Sequence, residues 1–339
     1  HELSAIGHAH IDTAWLWPLE ETYRKTVRTF SSAVRHMDAY PEFRFACSQA
    51  YQYECIERQN PDLYQRIHEK VASGQWLPVG GSYVEPDCNL PSGESLCRQF
   101  LFGQRYFESR FGRRCTEFWN PDVFGYTAQL PQIMQLAGIS KFLTQKLSWN
   151  RFTSPSHHTF YWESPDGSRV LTHFPPADTY NGTCEVEELR YHAANYKDAD
   201  RGRDAYYLFG HGDGGGGPTV EMLETLRRTS NLLGVPRCQQ RPPEQFFQRL
   251  EENTRSIPTI AGELYFELHR ATYTSQAAMK RGLRRSERLL HDIELLGSLA
   301  LSEADVDYPK ESVDQLWKKL LLNQFHDILP GSSIAEAVS

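Results

Sequence analysis

Two histidines and an aspartate alternate in GHAHIDTAWLWP, residues Gly7 to Pro18, and Trp15 and Trp17 follow at once. An extended strand repeats its side-chain direction every second residue, so His8, His10 and Asp12 would share one face. Three such groups can bind a metal or can simply be wet. Two further aspartates close strand-like runs, Asp122 in EFWNPD and Asp213 in AYYLFGHGD. A single Asp at a strand end is more often a helix cap or a turn former than a catalyst. Three of them, one beside a histidine pair, shift the balance, because two carboxylates facing each other across a sugar perform glycoside hydrolysis.

A fourth piece lies far away in sequence. NQFHDILPG sets His326 near the end of the last helix-like stretch, just before Pro330 and Gly331 stop it. A lone histidine there usually complements the helix dipole. Its functional reading is a second imidazole folded over the barrel mouth. Two His and two Asp make a plausible N/O donor set for zinc, without the thiolates usual in structural sites, and leave a position open for substrate hydroxyls. His157, His158, His211 and His269 are weaker ligand candidates, for which ordinary hydrogen bonding is the commoner role.

The tract from Gly210 to Gly215 matches the dinucleotide fingerprint, follows a strand-like run and precedes the helix-like Thr219–Leu233. Asp213 would face a pyrophosphate with a negative charge, and the ribose-binding acid about 20 residues on is missing. The glycines read instead as a loop that lets a sugar approach the backbone beside Asp213. Of the two tryptophans, Trp15 is the expected sugar platform because it lies closer to Asp12, with Trp17 packing in the core.

These groups need a scaffold. Strand-like runs at Ser4–Ile11, Phe43–Ser48, Trp76–Val79, Glu117–Trp119, Lys141–Thr144, Arg169–Phe174 and Ala205–Gly210 alternate with helix-like stretches at Leu19–Tyr40, Pro61–Ser73, Glu94–Phe111 and Gln129–Ala137. Alternation of this kind predicts an α/β fold, a β/α barrel-like domain with mainly parallel strands. HHTFYWESPDGSRVLTHF has hairpin spacing and reads as an antiparallel exception. After Gly262 the pattern turns helical, over Ala277–Ala304 and Glu311–Asp327, with Val313, Leu316, Trp317 and Leu320 on one face. The expected domains are therefore 1–261, a barrel, and 262–339, a small helical bundle that contributes a metal ligand.

The chain of 339 residues, 40% hydrophobic, is long enough for both and has no apolar run approaching a membrane span. A net charge of −7 without a basic cluster argues against a nucleic-acid partner. The 7 cysteines are scattered, odd in number and free of Cys-x-x-Cys spacing, which fits reduced thiols in the cytosol better than a disulfide framework. The Asn-Gly-Thr sequon at Asn181 is weak evidence against that location. Both ends look cut, with Ser339 just after a turn, as expected of a fragment of a longer enzyme.

GHAHIDTAWLWP, EFWNPDVFGY, LFGHGDGGGGPT and NQFHDILPG, in this order, resemble the retaining α-mannosidases of glycoside hydrolase family 38, and most closely their cytosolic branch. NLPSGES, AQLPQIM, FLTQKLSWN, GELYFELH and TYTSQA extend the resemblance over nearly the whole chain. It implies a β/α barrel followed by a helical bundle, with the family's C-terminal β domains absent. It implies that His10, Asp12, Asp122 and His326 hold a divalent metal, usually Zn2+, with Co2+ or another divalent ion as alternatives. His8 would support the site from behind. Asp122 is implied as nucleophile, Asp213 as general acid/base, and Trp15 and Tyr273 as substrate contacts. His269-Arg270-Ala271 departs from the His-Asn-Gly common in cytosolic relatives, close to Tyr273.

The implied substrate is a mannose-containing oligosaccharide, with no nucleic acid or membrane partner and with room for a homo-oligomer in the full-length enzyme. Asp122 would attack the anomeric carbon while Asp213 protonates the leaving oxygen, and water would then release the sugar with retained configuration, which asks for carboxyl groups roughly 5–5.5 Å apart. The metal would grip the cis hydroxyls on C2 and C3, a physical reason for mannose over glucose. Two alternatives stand beside this reading: a metal-dependent carbohydrate deacetylase on a similar barrel, and an inactive sugar-binding fragment.

Overall fold

The computed structural model describes residues 2–303 and 307–337. The expected helix end at Ala304 and the chain end at Ser339 lie outside them. Ten strands are described: β1 (Glu2–His8), β2 (Phe45–Cys47), β3 (Trp76–Pro78), β4 (Glu117–Trp119), β5 (Lys141–Leu143), β6 (Thr159–Glu163), β7 (Arg169–His173), β8 (Asp204–Phe209), β9 (Arg237–Gln240) and β10 (Thr259–Ala261). Between and after them run α1 (Leu19–Ala39), α2 (Ala50–Gln59), α3 (Pro61–Ala72), α4 (Gly93–Phe111), α5 (Leu130–Leu136), α6 (Val186–Asn195), α7 (Val220–Thr229), α8 (Pro243–Asn253), α9 (Ala277–Glu303) and α10 (Lys310–Asn323).

The strands form two sheets, ordered β3-β2-β1-β8 and β10-β6-β7-β5-β4. Every pairing is parallel except β6 with β7, the hairpin read from HHTFYWESPDGSRVLTHF. β1 pairs with β8 along its length, and its other edge is shared by β9 at Glu2–Ala5 and β2 at Gly7 and His8. The sheets curl around one interior. Ile6, Ala46, Leu77, Trp119, Leu143, Leu171 and Leu208, one each from β1, β2, β3, β4, β5, β7 and β8, belong to a single buried cluster. Side chains bridge the seams that no described ladder closes. Tyr206 N–H donates to His173 Nε2 at 3.1 Å between β8 and β7. Cys115 and Pro78 meet beside β4 and β3, with Sγ 3.6 Å from the carbonyl oxygen. A β/α barrel-like domain with mainly parallel strands is therefore the observed fold class, followed by the α9–α10 helix pair.

Local sequence explains the covering helices. α1 buries Thr22, Thr26, Phe30, Ala33 and Met37 at three- and four-residue spacing, and its first turn carries Glu20 and Glu21, favourable at the positive helix end. Ser92 caps α4 by accepting from Ser95 N–H. Asn60 caps α3 in the same way, with Pro61 at the first helical position. α9 is different: Leu283 and Leu290 are buried, but Leu289, Ile293, Leu296 and Leu299 on the same helix are exposed.

Several boundaries differ from expectation. β1 ends at His8 rather than Ile11, so His10 and Asp12 sit on the irregular chain beyond it, not on a strand face. The last helix ends at Asn323 rather than Asp327, and His326 lies past it in a turn where Pro86 and Phe325 pair as an antiparallel bridge. The helix dipole therefore does not account for His326.

Candidate active site

Asp12, Asp122 and Asp213 all follow the C-terminal ends of parallel strands, β1, β4 and β8, the edge where such folds gather their chemistry. His326 reaches the same edge from the chain beyond α10. The segment before α4 draws it in: Asp87 N–H donates to Gln324 O at 2.8 Å and His326 N–H to Glu85 O at 3.3 Å.

One ligand atom from each of His10, Asp12, Asp122 and His326 lies within 4.8 Å of the others, and all four residues are buried. His10 Nε2 is 2.8 Å from Asp12 Oδ1, and His326 Nε2 is 3.4 Å from that oxygen. Both Nε2 atoms are 3.8 Å from Asp122 Oδ2. Ligands 2.0–2.1 Å from a tetrahedral cation stand roughly 3.3 Å apart, so this spacing suits zinc or a similar ion. His326 Nε2 is fully buried with no hydrogen-bond partner among the described residues, an unsatisfied ring nitrogen pointing into the cluster.

Electrostatics agree. Burial opposes protonation of His10, yet the Glu85 and Asp12 carboxylates raise it well above the ordinary histidine value. Burial likewise opposes a positive His326, and Asp12 and Asp327 outweigh it. Asp12 is held low against its own burial by His10 and His326. Asp327 is pushed up by burial and by Asp12. The carboxylates thus hold positive charge on both imidazoles, the place that a divalent cation between them would take.

Glu85, absent from the sequence expectations, organises both imidazoles. Its Oε2 lies 2.9 Å from His10 Nδ1, its main-chain carbonyl accepts from His326 Nδ1 at 2.8 Å, and Ser48 Oγ donates to its Oε1 at 2.5 Å. Fixing the outer ring nitrogen by a carboxylate or carbonyl turns Nε2 of each ring toward a metal. Gln49, in the left-handed region at φ 66°, ties the neighbouring loops: its Nε2 donates to Ile11 O at 2.9 Å and its Oε1 accepts from Thr13 Oγ1 at 2.8 Å.

Lys146 and Tyr180 are the other groups that sequence reasoning missed. Lys146 Nζ pairs with Asp122 Oδ1, on the side away from the histidines, and both residues are buried. The Tyr180 hydroxyl donates to Asp213 Oδ1 at 3.0 Å, and its ring stands edge-on to His10 at 5.1 Å. Burial and the two aspartates hold its phenol far above the ordinary tyrosine value, so it stays neutral. Asp213 itself sits at φ 56°, with its carbonyl accepting from Asp12 N–H at 2.9 Å. Nothing in the local patterns of VEPDCN, QKLSWN or DTYNG marks these residues as functional.

The remaining expectations divide. His8 lies behind the cluster, its Nδ1 donating to Ala46 O at 3.0 Å and its Nε2 accepting from Trp119 Nε1 at 3.4 Å, and burial lowers it to about 4. Trp15 and Trp17 meet edge-on at 5.9 Å, and both are half-buried, so Trp17 is not a core residue: Lys25 covers its ring at 4.1 Å. The Tyr273 hydroxyl accepts from Asn89 Nδ2 at 3.0 Å. His269 packs on Phe124 at 4.9 Å without joining the four-residue cluster. His157 and His158 are held by Asp198 and Lys197 on the β6 side. Asn181 of the sequon has its Nδ2 3.5 Å from Asp213 Oδ1 and its Oδ1 buried, so its amide faces the site and not solvent.

The glycine tract does run from a strand into a helix, but its glycines answer to packing. A Cβ on Gly210 (φ 133°) would stand 2.2 Å from His8 O, and one on Gly215 would stand 2.5 Å from Thr29 Oγ1. Arg28 Nη2 donates to Gly214 O at 2.6 Å, which fastens the loop to α1.

Residues 1–263 match the glycosyl hydrolases family 38 N-terminal domain, and residues 267–339 match the alpha mannosidase middle domain. The chain is 54% identical over 335 residues to alpha-mannosidase 2C1 of Homo sapiens, covering 98% of this chain and 32% of that protein. It is 45% identical over 341 residues to an alpha-mannosidase of Saccharomyces cerevisiae, covering 97% and 32%. The chain thus spans about a third of the length of these curated relatives. In fold it is similar to an alpha-mannosidase from Enterococcus faecalis V583, with TM-score 0.85 and 20% identity over 99% of this chain and 40% of that one.

Proposed function

The chain belongs to glycosyl hydrolase family 38, and from that membership we propose that it is the barrel and helical part of a metal-dependent retaining α-mannosidase acting on terminal α-linked mannose of oligosaccharides. The observation that carries the reading is the convergence of His10, Asp12, Asp122 and His326 beside Tyr180, whose ring meets His10 and whose hydroxyl bonds Asp213. In this reading residues 1–261 are the barrel part and 262–339 the helical part. The relatives matched bear mannosidase names, which sets the deacetylase alternative aside.

His10, Asp12, Asp122 and His326 would hold a divalent ion, zinc by the chemistry of the donors. When bound it supplies Lewis acidity toward two adjacent sugar hydroxyls. Asp122 attacks the anomeric carbon, and a carbon–oxygen bond to its carboxylate forms as the bond to the leaving oxygen breaks. Lys146 offsets the charge of Asp122 and fixes one of its oxygens. Asp213 gives its proton to the leaving oxygen, then takes one from the water that displaces Asp122, so the configuration is retained. Tyr180 orients Asp213 through its hydroxyl. Trp15 offers a flat apolar ring near Asp12 for the mannose face, and Asp327 an acceptor for a further hydroxyl. Tyr273 is a substrate contact reached once Asn89 yields its hydroxyl.

The unpaired state of all seven thiols, six of them buried, supports a reducing, cytosolic setting. No described helix is long and apolar enough to cross a membrane. The test is turnover of an α-mannoside with NMR of the first-released anomer, combined with trapping by a 2-fluoro mannosyl reagent. Release of the α anomer and labelling of Asp122 support the reading; first release of the β anomer overturns it.

A further inference from the structure

Lys146 opens a single 3-10 turn, Lys146–Trp149, that starts where Lys146 N–H donates to Pro121 O at 3.1 Å. Side chains three residues apart eclipse in such a turn. Lys146 Nζ accordingly lies 4.2 Å from the centre of the Trp149 ring while pairing with Asp122. The indole is fixed along its edge as well: Nε1–H donates to Asp178 O at 3.0 Å. Asp178 adopts φ 55°, and its carbonyl also accepts from Gln145 Nε2 at 2.7 Å. Its carboxylate is braced by the Tyr191 hydroxyl at 2.7 Å and Asn195 Nδ2 at 3.0 Å.

The chain after Trp149 is clamped too. Glu267 accepts from the main-chain N–H groups of Arg151 and Phe152 at 2.8 Å and of Thr153 at 2.5 Å. Asn150 Nδ2 donates to Tyr265 O at 3.0 Å. With one face on Lys146 and its N–H satisfied, Trp149 still leaves 40% of its surface open. A large apolar ring this firmly held and this exposed is a binding surface more than a packing element.

Its position says for what. Through Lys146 it adjoins Asp122. Through Asp178 it adjoins the segment that carries Tyr180 and Asn181, the side-chain neighbours of Asp213. Three extended residues span at most about 10 Å, so the bond to Asp178 keeps Trp149 within about two pyranose lengths of the Asp213 partners along the chain. Asp213 is the residue that faces the leaving oxygen, and the sugar attached to that oxygen lies on its side of the site.

We propose that Trp149 is the platform of a leaving-group subsite, stacking its open face on the C–H face of the second pyranose of the oligosaccharide. This rests on the mannosidase reading, with Trp15 and Trp149 then serving different sugars. Two substrates separate the subsite from the reaction: an α-linked mannobiose, which has the second ring, and α-mannosyl fluoride, which has none. In the whole chain, Trp149→Ala lowers the ratio of kcat/KM for mannobiose to that for the fluoride by about tenfold or more. Trp149→Leu keeps an apolar side chain, removes the flat ring and gives the same fall, which serves if Trp149→Ala does not fold. A ratio within about twofold of the unaltered protein's, in either variant, overturns the subsite and leaves the mannosidase reading standing. An unaltered chain that hydrolyses neither substrate overturns both.

Discussion

Glu85 offers its main-chain carbonyl to His326 Nδ1 at 2.8 Å while its carboxylate lies 2.9 Å from Nδ1 of His10. One residue thus sets the direction of two imidazoles that come from opposite ends of the chain. Glu85→Gln keeps the carbonyl contact and weakens the other. It should lower metal affinity by about 10–100-fold. Competition with a chelator measures this, and unchanged affinity would remove Glu85 from that role.

His326→Ala should strip the site further, because it removes one of the four proposed ligands and not its support. Metal content after dialysis should fall well below that of the unaltered protein. A chain that retains a full equivalent would show that the cluster holds its ion without residue 326.

Asp213→Ala should slow turnover of mannosides with poor leaving groups by about 10²–10⁴-fold, the usual worth of general acid catalysis. With an activated leaving group that needs no proton, such as a dinitrophenolate, added azide should speed breakdown of the glycosyl-enzyme, restore part of the rate and yield the α-mannosyl azide. Formation of the β azide by this variant would exchange the roles assigned to Asp122 and Asp213. Tyr180→Phe, which deletes only the hydroxyl, should reduce kcat roughly tenfold or more while the fold persists, read by circular dichroism alongside the kinetics.

His192 gives a prediction away from the chemistry. It is fully buried on α6, neither ring nitrogen has a hydrogen-bond partner among the described residues, and its ring meets Tyr207 edge-on at 5.4 Å. Burial, followed by the charge of His158, lowers it to about 3 from 6.5. A histidine lowered on folding contributes full stability above its unfolded value and loses it as pH falls toward the folded one. The loss near pH 4 is on the order of 3 kcal/mol. His192→Phe should therefore move the acid-unfolding midpoint to lower pH, and an unmoved midpoint would show that His192 does not govern it.

Much of this was legible in the sequence. His10, Asp12, Asp122 and His326 are brought together as expected, because each stands in a short patterned stretch at a strand end or turn. The long helices, α1 and α4, declare themselves through three- and four-residue apolar spacing. β9 does not, since Arg237-Cys-Gln-Gln240 has no alternation; it is a strand because β1 offers an open edge. Glu85, Lys146 and Tyr180 escaped for a related reason. Each acts through one partner distant in sequence, and a single charged or phenolic side chain among buried neighbours has no local signature. The apolar period of α10 runs on through Phe325 and so predicts a helix that reaches His326, while tertiary pairing with Pro86 ends the helix earlier.

The pairing of Pro86 with Phe325 gives the ion a mechanical role. A cation gripped by residues 10, 12, 122 and 326 would rivet the segment after β1 to the segment after α10, joining distant stretches of sequence with one small atom. Chelation should then loosen the α9–α10 segment before the barrel, so that a protease nicks there first and the melting temperature drops with free-ion concentration as mass action requires. Durability and catalysis would share a single fastener.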